Sequence, residues 1–223
     1  MRLRMLVVVV VASALWTSAS SAPAESRLEA VAVLPDGLSK NIAALIDAKG
    51  QKIVGKEGAV CSVWLVKEVP VKANFKPTLN VKYPFAPGEL IGVLQVQSNS
   101  KYTDFRGQEI KPGVFTLRYG QQPEDGNHVG TSDLADFLLA IPAGLDTDPS
   151  PIAAFKALSE RSAKTAGSTH PAIFSLLPNE KLADKPILTH DEVKDHTMLS
   201  VVLPAKGGAK VALRMVVIGK SGE

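Results

Sequence analysis

Beyond residue 26 the chain reads mostly as strands, alternating or continuously apolar runs separated by Gly, Pro and Asp turns. Val60 to Val66 is apolar on both sides, with Val60, Ser62, Trp64 and Val66 facing one way and Cys61, Val63 and Leu65 the other. A strand buried on both faces is predicted there. Gly88 to Gln97 reads as a further strand with Leu90, Gly92, Leu94 and Val96 on one face. Lys111-Pro-Gly113 marks a tight turn, after which Phe115, Leu117 and Tyr119 alternate with Thr116 and Arg118. That alternation predicts a strand with its Thr116/Arg118 face in water.

Phe137 to Ile141 and Ile173 to Leu177 are short apolar strands, and the chain closes with a hairpin. Its arms are Met198 to Leu203 and Val211 to Ile218, joined through Lys206-Gly-Gly-Ala209. The last residues, from Lys220, lie beyond the alternation and are expected to be dispensable. Asn41 to Ile46 leads into Asp47-Ala-Lys-Gly50, which reads as a hairpin turn, with Ile53 and Val54 on the return. Four prolines between Pro70 and Pro87 make that stretch a surface connection or an edge. Gly120 to Asp133 is a long polar loop, and Pro178 to His196 is read as irregular.

Only one segment has helical spacing. Asp148-Pro-Ser150 offers a cap, Pro151 suits the first turn, and Ile152, Phe155 and Leu158 recur on one side up to Gly167. Roughly nine strands, one short helix near 150–166 and no βαβ rhythm predict an all-β antiparallel β-sandwich of jelly-roll or immunoglobulin-like type. A closed lipocalin-like barrel is the alternative.

Residues 1–24 are set apart by composition. Arg2 and Arg4 precede the apolar run Leu6–Ala12, and Ala22-Pro-Ala24 supplies the small residues of a cleavage site. The run is shorter than the about 20 residues that span a bilayer. A signal peptide over 1–24 is therefore expected, followed by a single domain over 25–223 and no transmembrane anchor in the mature chain. The location implied is periplasmic or extracellular, in a bacterium. Without Arg2 and Arg4 the chain holds 23 basic and 22 acidic residues. That balance, with no basic stripe, excludes a nucleic-acid partner. Cys61 is the one cysteine, so no internal disulfide forms, and its strand context predicts a buried thiol.

The run Arg106-Gly-Gln-Glu-Ile-Lys-Pro-Gly-Val-Phe-Thr-Leu-Arg-Tyr119 resembles a turn-and-strand phrase of exported bacterial β-sandwich proteins of unknown function. Asp125-Gly-Asn-His-Val-Gly130 and Asp136-Phe-Leu-Leu139 continue the likeness. The resemblance implies a fold and an export route, and no activity comes with it.

Chemistry is sparse. Asp125 and His128, with Asp133 nearby and His170 before a strand, form the one set of imidazole and carboxylate groups that a divalent metal or a general base would use. His190 and His196 stand six apart, a spacing that no helix or single strand brings to one metal. There is no Gly-x-Ser-x-Gly elbow and no zincin His-Glu-x-x-His. These residues favour a non-catalytic exported module without a cofactor, with a binding or structural accessory role toward an envelope component or another secreted protein. The alternative is a metal-binding domain or metal-dependent hydrolase centred on His128 and His170.

Overall fold

The computed structural model describes residues 26–122 and 134–222. Twelve strands run Arg27–Val31 (β1), Gly50–Gly55 (β2), Gly58–Leu65 (β3), Leu90–Val96 (β4), Tyr102–Thr103 (β5), Glu109–Ile110 (β6), Gly113–Gln121 (β7), Asp136–Pro142 (β8), Ile173–Ser175 (β9), Ile187–Asp191 (β10), His196–Pro204 (β11) and Lys210–Ile218 (β12). Two α-helices among the described residues are Lys40–Leu45 (α1) and Phe155–Ala166 (α2), and a 3₁₀ turn spans Ala143–Leu145. Antiparallel pairing joins seven strands in the order β1-β2-β3-β4-β7-β8-β9, a sheet that curls into a half-barrel. A second sheet has the order β10-β11-β12, and β5-β6 is a small hairpin. The all-β class is as expected. Among the described residues no helix is long and apolar enough to cross a membrane.

One core fills the concave side. The register aligns Gln51, Val63, Leu94, Phe115 and Pro142 across five strands, and Leu65, Gly92, Leu117 and Ala140 form the next row. Leu199, Val201, Leu213 and Met215 of the second sheet join the same apolar cluster. Connections close both ends. Tyr102 of β5 stacks on Phe174 at 6.0 Å and donates from its hydroxyl to Val217 O at 2.8 Å. At the other end the proline-rich connection inserts Tyr83 and Phe85, stacked 5.7 Å apart, with Phe85 edge-on to Tyr119 at 5.4 Å. Trp64 is buried on the outer face of β3 above Gly50, where any Cβ would collide with its indole. Its Nε1 has no hydrogen-bond partner among the described residues.

The structure departs from the sequence expectations at four places. Asn41 to Ile46 is no hairpin arm, because Ser39 caps α1, its Oγ accepting from Ile42 N at 3.3 Å. Ile42 and Ile46, one turn apart, go into the core. The hairpin turn falls instead at Lys56-Glu57, between β2 and β3. Second, the helix expected from Pro151 starts at Phe155. The preceding residues stay extended because Asp148 O and Ser150 O accept from Arg118, while Ile152 N donates to Gly88 O at 3.2 Å.

Third, the supposedly wet face of β7 is dry: Thr116 and Arg118 are fully buried. The segment from the 3₁₀ turn to Ile152 folds over them as a second layer. Fourth, β10 lies within the stretch read as irregular. Of its five side chains only Leu188 packs on the main core, so the apolar signal of a strand is nearly absent.

Candidate functional site

Asp125, His128 and Asp133 lie outside the described residues. His170 sits in the turn after α2, exposed, with its backbone N–H donating to Ser168 Oγ at 3.0 Å. The β10–β11 hairpin supplies the irregular turn that His190 and His196 need, yet it does not join them. Its register pairs Asp191 with His196 and His190 with Thr197, so the two imidazoles leave on opposite faces. His190 Nδ1 is hydrogen-bonded to Thr197 Oγ1 at 3.2 Å. His196 Nε2 donates to Lys220 O at 2.9 Å, and its ring lies 5.4 Å from that of Phe105. Among the described residues no group of three His, Cys, Asp or Glu side chains is placed to hold a metal.

Three buried polar centres, unforeseen from the sequence, are each fully engaged in holding the fold. Arg118 uses all five of its N–H donors. Nε and Nη2 reach the two oxygens of Asp146 at 2.7 and 2.9 Å, and the carbonyls of Gly88, Ser150 and Asp148 take the other three. Thr116 Oγ1 donates to Asp146 Oδ2 as well, at 2.5 Å. The guanidinium thereby ties β7 to the entry of β4 and to the segment before α2.

Asp104 accepts from Arg106 N, Gln108 N, Gln108 Nε2 and Ile173 N between 2.8 and 3.1 Å, which fixes the β5–β6 turn onto β9. Asp136 accepts from the Tyr119 hydroxyl on one oxygen and from Lys82 N at 2.5 Å on the other. Tyr83 in turn donates to Leu177 O at 2.7 Å and accepts from Arg214 N at 3.0 Å. Burial holds the Asp104 and Asp136 carboxyls above the usual carboxylate value, and their hydrogen bonds pull them only partway back. Burial likewise raises the phenols of Tyr83 and Tyr119 and pushes the Cys61 thiol up to about 12. Cys61 is an inert core side chain: a thiol this protonated supplies almost no nucleophilic thiolate.

Among the described residues a cleft of about 270 Å³ lies between the start of β2, the end of β3 and the end of β11. Its apolar wall comes from Val63 and Leu65 of β3 and Leu199 and Val201 of β11. Residues 183–186, just before β10, form the outer lip. Gln51 enters from β2, half-buried, with no hydrogen bond to its side chain among the described residues. Asp47, Lys49, Lys67, Asp184 and Lys185 surround the opening. Sequence reasoning missed this site because its walls are about 140 residues apart in the chain. Only the single polar residue in the inward row of β2 hints at it.

A smaller cleft of about 160 Å³ lies at the opposite end, between the β2–β3 turn and residues 99–103. Tyr102 on its wall already serves the β5 contact with Val217. Comparison with protein-family models, with curated proteins and with solved structures finds no match to this chain.

Proposed function

We propose that this chain is an exported, non-catalytic β-protein that binds a small, partly apolar molecule in the cleft between β2, β3 and β11, as an accessory of the cell envelope or the extracellular space. The observation that carries the reading is the contrast among its polar groups. The buried carboxylates of Asp104, Asp136 and Asp146 and the phenols of Tyr83 and Tyr119 are bound up in fold-holding contacts, whereas the half-buried Gln51 has no side-chain hydrogen bond among the described residues and lies beside the apolar wall of the cleft. A concave, mostly apolar site with a few orienting polar groups is the usual form of a small-molecule site. Export rests on the arginine, apolar and small-residue succession of residues 1–24, and kinship with exported bacterial β-proteins on the Arg106–Tyr119 phrase.

The fold we favour for this role is a barrel-like closure over a two-layer sandwich. Leu176 bridges to Met215 and Leu177 N donates to Arg214 O at 2.9 Å, linking the end of β9 to β12. On the far side β1 approaches β10. The cleft is then an opening at one end of the strand set.

A neutral probe tests the site. Titration of the 25–223 protein with 1-octanol, followed by amide chemical shifts, is expected to move Val63, Leu65, Leu199 and Val201 as one saturating group. Shifts scattered over the surface, or none at these four, would overturn the reading.

A further inference from the structure

We infer that the cleft selects a compact amphipathic anion, a carboxylate on a single ring or on a chain of about eight carbons, in preference to neutral or cationic molecules of the same size. This rests on the binding role just proposed and assigns its ligand class. Size sets the apolar part. A cavity of about 150 Å³ holds one benzene ring, so the 270 Å³ here takes a ring with a short substituent or a medium-length chain. A long acyl chain exceeds it, since the core behind Val63 and Leu199 is packed with Leu94, Phe115 and Leu213.

Charge sets the head group. The opening carries Lys49, Lys67 and Lys185 against Asp47 and Asp184, and these charges are not equally available. Asp47 Oδ1 accepts from Lys49 N at 3.0 Å, which points this carboxylate toward its own turn but leaves its charge, so the opening holds three lysines against two aspartates. Lys67 Nζ donates to Ala44 O at 2.7 Å, which pins one positive charge beside the mouth. The ammonium groups of Lys49 and Lys185 have no ion-pair partner among the described residues. Deeper in, the free amide of Gln51 offers two N–H donors at the border between wall and rim. A carboxylate lying there meets amide donors and two unclaimed cations, while its tail covers Val63, Leu65, Leu199 and Val201. An ammonium head in the same position meets three lysines against the two carboxylates of Asp47 and Asp184, an opening with a net positive charge.

Exposed charges act through water and salt, so the preference is modest and ionic-strength dependent. Calorimetric titration of the 25–223 protein with octanoate, 1-octanol and octylamine tests it directly. Octanoate is expected to bind roughly two- to fivefold tighter than 1-octanol, and tighter still than octylamine, with the gap closing in high salt. The double variant K49A/K185A, altered only at exposed positions, should bring octanoate to the affinity of 1-octanol. The variant Q51W, which fills the mouth, should block all three.

Octylamine binding as well as octanoate, with Q51W blocking both, would overturn the anion class and leave the cleft reading standing. Octanoate binding unchanged in the lysine double variant would overturn it equally, whether or not Q51W folds. Failure of all three probes would overturn the cleft reading itself.

Discussion

Arg118 and Asp146 form a two-point ion pair in which neither side chain has any exposure to solvent. An isolated pair of buried charges is costly to desolvate, and only full hydrogen bonding makes it tolerable. Here the remaining guanidinium donors are absorbed by three backbone carbonyls, so the pair works as a rivet between β7 and the segment that covers it.

Replacing Asp146 by Asn should therefore be severe despite the matched volume. Arg118 would keep its charge without a counterion, and breaking a buried pair from one side costs about 3–5 kcal/mol. Urea unfolding should show a lower midpoint with an unchanged slope. R118M should be at least as damaging, because it also strands the carbonyls of Gly88, Asp148 and Ser150. A wild-type midpoint for either variant would contradict the rivet.

Asp136 should make stability depend on pH in the opposite sense to a salt-bridged carboxylate. Its folded-state value is raised by burial, so the folded chain holds the proton more tightly than the unfolded chain does. By linkage, stability falls as pH rises from the unfolded carboxylate value, about 3.9, through the raised folded value. Asp104 adds a fall of the same sign. The variant D136N removes one of these contributions. The stability of wild type minus that of D136N should decline across mildly acidic pH and then level off, as read by urea unfolding at successive pH values. A difference that rises with pH would contradict the assignment.

The histidines should separate by burial. H170A removes an exposed ring and should leave the thermal midpoint unchanged. H196A removes a bond to Lys220 O and the ring packed on Phe105, and should lower it. The hydrogen bond alone is worth about 0.5–1.5 kcal/mol. Equal midpoints for the two variants would be inconsistent with this placement.

Truncation should grade in the same manner. Deleting from Lys210 removes β12 with Leu213, Met215, Val216 and Val217, each buried. At about 1.5–3 kcal/mol per side chain, the loss matches the whole stability of a typical domain, about 5–15 kcal/mol, and no folded protein is expected. Deleting from Lys220 is milder, though the tail is tethered: Ser221 N donates to Phe105 O at 2.7 Å. A folded protein with a lowered melting midpoint is the expected result.

The elements that sequence patterning located are those whose signal is local. β4, β7 and the β11–β12 hairpin follow from alternation, β3 and β8 from continuous apolar runs, and the end of α2 from Gly167, whose φ of +63° suits a glycine cap. What patterning could not reach was the second layer. Thr116 and Arg118 alternate with apolar residues just as a solvated face does, and only the fold-back of residues 146–152 makes them interior. The same limit hid the cleft, since Gln51 becomes informative only when β11 is set opposite. Short α1 was readable in part, from Ser39 ahead of Ile42 and Ile46, but six residues give a helical period little room.

Trp64 is the one tryptophan beyond residue 24, and its indole lies over Gly50 with Nε1 unbonded among the described residues. An indole so enclosed emits at short wavelength, and water reaching it moves the emission to the red. Separation of β2 from β3 anywhere near the cleft would thus be visible as a colour change from a single natural fluorophore, without any label.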